Sequence, residues 1–220
     1  LICMAKSIFT SFDNLTLQEI ETDAELIPLL TPEDEEALRN EELPTEVAIL
    51  PLRNTVLFPG VVIPITVRRD KSIQLIKDDN KSDKIIGVVA QKDHYIENPS
   101  PSDLFSLGTV AQILRILKMP DGNTTVIIQG KRRFEIQSIK TLEPYLKASI
   151  KPVKETFPSK DNSEFKAIID SIKDMSLKII HENPNIPSEA SFSIKNIHSH
   201  AFLINFVSSN MNLSAEEKQR

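Results

Sequence analysis

From Val47 to about Glu155 apolar positions come in short runs, alternating or continuous, cut by turn residues; after Phe157-Pro158-Ser159 they take a helical period, and before Glu46 they support at most a short helix after Thr31-Pro32. A period of two marks a half-buried strand and one near 3.6 an amphipathic helix. Val47–Leu52, Val61–Arg68, Ile85–Ala90, Gly108–Lys118, Thr124–Gln129, Phe134–Ile139 and Tyr145–Val153 are therefore predicted strands, with one short helix at Ser72–Asp79. Pro59-Gly60 predicts a turn, because Pro presets φ and Gly accepts φ > 0. Pro64 has no N–H for a ladder, which places its strand at a sheet edge or a bulge. Ile85–Ala90 is apolar throughout except for Gly87, as a strand covered on both faces is. Met119-Pro120-Asp121-Gly122-Asn123, between two apolar runs, predicts a hairpin.

In the helical regime Phe165, Ile168, Ile169, Ile172, Met175 and Ile179 share one face. Asp161 with Glu164 is the expected capping box, and Asn183-Pro184 the stop, since a residue before Pro avoids the α region. Ser188–Asn196 and Ser199–Asn210 are two further predicted helices, with Ile194, Ile197, Ala201 and Ile204 on a packed face. Ser214-Ala215-Glu216-Glu217 is a second capping box, three residues from Arg220. A helix one turn long is unstable alone, so the chain is expected to be a piece of a longer one. The fold class is α+β: an extension over 1–46, a β-rich subdomain with one short helix over 47–157, and an α-helical bundle over 158–220.

Composition sharpens this division. The 220 residues, 24.8 kDa, are 40% hydrophobic and 26% charged, enough for one or two modest cores. The formal net charge of −5 is unevenly spread. Twelve acidic residues against Lys6 and Arg39 precede Val47, whereas the remainder has 24 basic and 19 acidic residues, a net +5. So acidic a stretch with few aromatics cannot offset its ordering entropy, and 1–46 is expected to be mostly disordered and solubilising. No run approaches the ~18 apolar residues of a membrane helix. Cys3 is the only cysteine, so no intramolecular disulfide can form; with no export signal, the expected compartment is the cytoplasm.

One stretch carries more than its periodicity. Leu50–Val67 reads L-P-L-R-N-T-V-L-F-P-G-V-V-I-P-I-T-V, and Arg69-Asp70-Lys71-Ser72 follows closely. Gly87–Asp93, Asp103-Leu104, Leu107–Ala111 and Ile116–Gly122 come next, in an order and at a spacing that resemble the N-terminal domain of the Lon proteases. The resemblance runs from about Leu50 to the end. It implies a PUA-like β subdomain joined to a helical bundle, acting as the substrate-recognition domain of an ATP-dependent serine protease. It also implies unfolded, damaged or degron-bearing proteins as partners, with a homohexameric parent; the piece alone is expected as a monomer or weak dimer. ATP and Mg²⁺ belong to the parent, and no cofactor is expected in this chain.

The catalytic modules of that family are not legible here. Gly130-Lys131 is followed by Arg132 and preceded five positions earlier by Thr125, so the phosphate-cradling G-x-x-x-x-G-K-[ST] fails twice. The family's nucleophile stands in Ser-Ala-Gly, whereas Ser214-Ala215 leads to Glu216. No catalytic residue is assigned. His198-Ser199-His200 is the one metal-like pattern, but i and i+2 on a helix point about 200° apart. A solvated or capping pair is preferred and no metal site is expected.

Recognition then requires an apolar surface rimmed by charge. The candidates are Leu57, Phe58 and Pro59 before Gly60, with Arg69, Asp70 and Lys71 as polar contacts. Leu57 and Phe58 also suit the core, where large apolar side chains usually lie. Two other readings stay open. A free-standing adaptor would have the same body. A nucleic-acid-binding module would use Lys131-Arg132-Arg133 with Phe134 and Lys140, and its affinity would fall with salt; without interleaved aromatics, a solvated strand start is preferred there.

Overall fold

In the computed structural model, which describes residues 37, 40–79, 84–119, 122–156, 158, 162–184, 186 and 189–220, the predicted strand segments become six strands. They are β1 (Glu46–Leu52), β2 (Val62–Val67), β3 (Ile85–Ala90), β4 (Leu107–Lys118), β5 (Thr124–Thr141) and β6 (Lys147–Pro152). Helix α1 (Asp70–Asp79) follows β2, and a one-turn 3₁₀ helix (Pro101–Asp103) precedes β4. The described residues group into two compact units, Ala37–Val153 with Leu213–Arg220, and Lys154–Asn212. The acidic stretch through Glu36, the cap expected at Asp161 and Pro120-Asp121 of the hairpin turn lie outside the described residues.

The sheet order is β2-β5-β4-β3-β1-β6, and β5 also pairs with β6, so five strands close into a ring with β2 on the outside. β1 and β3 run parallel and the other pairs antiparallel. Pro64 lies opposite Ile127 on this edge strand, where its missing donor is harmless. β3 lies between β1 and β4 and is buried from Ile86 to Ala90. The expected hairpin forms with Lys118 opposite Thr124 and Gly122 at φ 82.

Two predicted strands merge. The sequence breaks at Gly130-Lys131-Arg132-Arg133, yet β5 runs on for 18 residues, pairing first with β2 and then with β6. The Gly130 N–H donates to the Val61 carbonyl (2.9 Å) and its carbonyl accepts from the Gly60 N–H (2.8 Å), so the backbone stays satisfied through the change of partner. A Cβ at 130 would be driven into the Phe58 carbonyl; this glycine marks a close backbone approach and not a strand end. Val110 pairs with Arg132 and Ala111 with Gly130, which leaves Lys131 as the extra residue of a β-bulge.

Two apolar clusters fill this unit. Val47, Ile49, Val89, Val110, Phe134, Ala148 and Ile150 come from all five ring strands. Alternate residues of β1, β3, β4 and β5, among them Leu50, Val88, Ile113 and Ile128, pack with Leu75 and Ile76 of α1 and Val67 of β2.

The second unit carries α2 (Ser163–Glu182), α3 (Glu189–Asn196) and α4 (His200–Asn210). The cap of α2 is Asn162, whose Oδ1 accepts from the Phe165 N–H at 2.9 Å. Asn162→Ala is expected to cost about 1 kcal/mol, read as a fall of a few degrees in the circular-dichroism melting temperature. Lys173 donates to the carbonyls of Lys195 and Ile197 (3.0 and 3.1 Å), placing a cation at the C-terminal end of α3. Ser199 accepts from the Phe202 N–H (3.0 Å), so His198-Ser199-His200 is a helix start, with the His200 ring edge-on to Phe165. Of the four residues expected on a packed face, Ile194, Ile197 and Ala201 are buried and Ile204 is half-buried. Helix α5 (Ala215–Gln219) opens on its capping box, the Glu217 N–H donating to Ser214 Oγ and the Ser214 N–H to the Glu217 carboxylate. No helix among the described residues is long and apolar enough to cross a membrane.

Candidate functional site

β2 ends at Val67, and the chain turns through Arg68 and Arg69 into α1, whose first internal bond runs from the Ile73 N–H to the Arg69 carbonyl (2.9 Å). A cleft of about 250 Å³ opens at this corner. Pro51, Leu75, Tyr145 and Leu146 line it with apolar surface, and Leu142, Pro99 and Pro101 add more. Arg69, Lys71 and Glu143 supply charge, and Ser72 a hydroxyl. Asp70, in the first turn of α1, stays exposed, where a carboxylate suits the helix dipole.

Arg69 is fixed by its neighbours. Its Nη2 donates to Gln91 Oε1 (2.6 Å), while the buried Gln91 passes its own amide to the carbonyls of Asp93 and Ile96. Burial pushes the Arg69 guanidinium below its ordinary pKa, Arg53 pushes it the same way, and Glu97 opposes both. Lys71 pairs with Glu143 at 2.6 Å, both more than half exposed, an interaction worth under ~1 kcal/mol. The loop Asn98–Pro101 is braced by the Ser100 N–H and Oγ, which both donate to the Asp103 carboxylate (2.8 and 2.6 Å). Those bonds hold the Asp103 pKa below the ordinary carboxylate range. With a depressed folded-state pKa, the brace is complete at neutral pH and is lost only as pH falls through and below that range.

Leu57, Phe58 and Pro59 lie elsewhere, the first two in the buried position the sequence also allowed. All three are buried, and the Leu57 carbonyl accepts from Thr109 Oγ1 at 2.7 Å. Leu57 and Phe58 border a separate cavity of about 240 Å³ that also touches Arg133 and Lys218. Burial lowers the Lys218 pKa. The six candidates therefore do not converge: Arg69 and Lys71 share one cleft, Asp70 sits beside it, and the apolar three are not part of it.

The basic cluster is neither a solvated strand start nor an open basic surface. Lys131 is buried, 7% exposed, with Nζ at 2.6 and 2.7 Å from the two Glu41 oxygens. The Arg133 guanidinium stands 5.7 Å from the centre of the Phe58 ring. Much of the cluster's charge is thus already engaged within the unit, which leaves less for a phosphate backbone.

Residues 46–220 match the family described as the ATP-dependent protease La (LON) substrate-binding domain. The chain belongs to this family. It is 63% identical over 216 residues to the Lon protease of Flavobacterium johnsoniae, covering 98% of this chain and 26% of that protein. To the Lon protease of Cytophaga hutchinsonii it is 50% identical over 196 residues, 89% of this chain and 24% of the relative. The LON domain chain thus spans about a quarter of the length of these relatives. In fold it resembles the N-terminal domain of a Mycobacterium avium complex Lon protease, with a TM-score of 0.63 and 21% identity over 79% of this chain and 88% of that one.

A second surface of this LON domain chain is not legible from its sequence. Ile168, Met175 and Ile179, on the predicted apolar face, are 51%, 59% and 42% exposed, and only Ile169 of α2 is buried. They stand at i, i+7 and i+11, the spacing of one helix face. The spacing that predicted the helix also defines the stripe, but period alone does not say what covers a face.

Proposed function

We propose that this chain is the polypeptide-engaging domain of a larger ATP-dependent serine protease, binding unfolded or degron-bearing proteins. AAA+ and Ser-Lys protease modules elsewhere in such a protein would unfold and cleave them, using ATP and Mg²⁺ in a homohexamer in the cytoplasm. The observation that carries this reading is the family match over residues 46–220. The division into an extension over 1–46, a β-rich subdomain over 47–157 and a helical bundle over 158–220 goes with it. Apolar side chains beside charge supply the required surface: Leu142 near Lys71 and Glu143, and separately Ile168, Met175 and Ile179 interspersed with Lys166, Asp170, Asp174 and Lys178.

The test is binding of the purified chain to a labelled unfolded protein and to single-stranded DNA, each at low and high salt. Salt-insensitive binding to the unfolded protein alone is expected, because burial of apolar surface is little screened. Binding to DNA alone, falling steeply with salt, would replace this reading by nucleic-acid recognition.

A further inference from the structure

The cleft beside α1 contains a polar side chain that nothing in the described structure satisfies. Ser72 is only 8% exposed, it lines the cleft, and its hydroxyl has no hydrogen-bond partner among the described residues. Buried polar groups are nearly always paired, and leaving one unpaired is costly, so an orphan in a cleft points to a ligand. Ser72 also stands in the first turn of the ten-residue α1. There the N–H groups of Asp70, Lys71 and Ser72 have no carbonyl within the helix to bond. Such a helix start favours an anion, and Arg69 and Lys71 add two cations to it.

The rest of the cleft limits which anion fits. Leu142, Leu146 and Tyr145 offer apolar surface within the same 250 Å³. We propose that this cleft takes the C-terminal residue of a polypeptide whose last side chain is apolar. Its free carboxylate meets Ser72 Oγ and Arg69, and its side chain lies against Leu142, Leu146 and the edge of Tyr145. A terminal residue presents a carboxylate and an apolar group on adjacent bonds. An internal Asp or Glu would have to bring its apolar neighbour and further peptide groups into the same space, where their N–H and C=O groups would need partners too. Glu143 is a rival carboxylate at the rim, held by Lys71, and both side chains are exposed enough to separate.

This inference rests on the polypeptide-engaging reading above and specifies its ligand. The experiment is fluorescence anisotropy on the whole 220-residue chain with fluorescein-labelled Gly-Ser-Gly-Ser-Leu-Leu as the free acid, as the C-terminal amide, and as an amide with Asp in place of the fifth residue. The free acid is expected to bind about tenfold more tightly than either amide, a difference of about 1.4 kcal/mol. Ser72→Ala should weaken the free acid about threefold while holding or raising the melting temperature, since it removes an unpaired buried hydroxyl. Glu143→Gln should strengthen it about twofold by removing the rival carboxylate. Equal binding of acid and amide, or an unchanged affinity in a folded Ser72→Ala variant, overturns the assignment; an Asp amide as tight as the free acid overturns it in favour of side-chain carboxylates. Binding of an unfolded protein, measured alongside, separates the two levels. If that protein binds while the peptides do not discriminate, this inference falls and the broader reading stands; if neither binds, both fall.

Discussion

Gly130→Ala is expected to destabilise the sheet unit by about 3 kcal/mol, although it adds a single methyl group. The new Cβ would be driven into the Phe58 carbonyl and would lie 3.2 Å from Thr109 Cγ2, and the first of these neighbours is backbone that cannot rotate away. Relief requires the loop carrying Leu57–Val61 to lift. That movement strains the bonds from Gly60 N–H to Gly130 and from Gly130 N–H to Val61, and pulls two buried side chains out of place. Thermal unfolding should register a fall of roughly 10 °C, given about 2–8 °C per kcal/mol for units of this size range. Gly122→Ala is the control. Gly122, unlike Gly130, has a positive φ, 82°, but nothing lies within 4 Å of a Cβ placed there, so only backbone strain of about 1 kcal/mol applies. A Gly130→Ala melting temperature as close to wild type as that of Gly122→Ala would show that the approach of loop to strand does not bear on stability.

This glycine also explains where the sequence could be read and where it could not. Continuous apolar runs placed β1 and β3, turn residues placed the β4–β5 hairpin, and Pro64 limited β2 to an edge or a bulge, because those properties are written in each segment itself. Gly130-Lys131-Arg132-Arg133 reads locally as a polar break. Its glycine answers to Phe58, 72 positions earlier, and its lysine to Glu41, 90 positions earlier. The corner Arg69-Asp70-Lys71 was legible from a turn running into a helix. The rest of its cleft comes from Asn98–Pro101 and Leu142–Leu146, which only the closing of the ring brings near. Arg69 is not the free contact that its place in a turn suggests, because its bond to the buried Gln91 spans 22 residues. On α2 the limitation was different: spacing defined the stripe of Ile168, Met175 and Ile179 correctly but could not distinguish a covered stripe from an exposed one.

Glu41→Ala and Lys131→Met remove the same ion pair and are expected to differ sharply in effect. Glu41→Ala strands the Lys131 ammonium, 7% exposed, without the only carboxylate it bonds among the described residues. Breaking a buried pair this way costs about 3–5 kcal/mol. The lower end applies, because the Glu41 side chain is 35% exposed and water can enter where it stood. Lys131→Met instead places an unbranched apolar chain in the bulge and leaves Glu41 to solvent, so its cost should stay below about 1 kcal/mol. The double variant should then recover most of the loss, as coupling between contacting residues requires. Urea unfolding of the wild-type chain and the three variants checks this, and equal losses from the two single changes would mean that something other than the stranded charge sets the cost. The same variants bear on function. Glu41 neutralises the most buried cation of the basic cluster, so if its removal creates salt-sensitive binding to single-stranded DNA that Lys131→Met does not, the cluster is intrinsically competent for nucleic acid and is held silent by one carboxylate. If no such binding appears in a Glu41→Ala chain that remains folded, the bulge at Lys131 serves to join the segment bearing Glu41 to the sheet, and the basic cluster is structural.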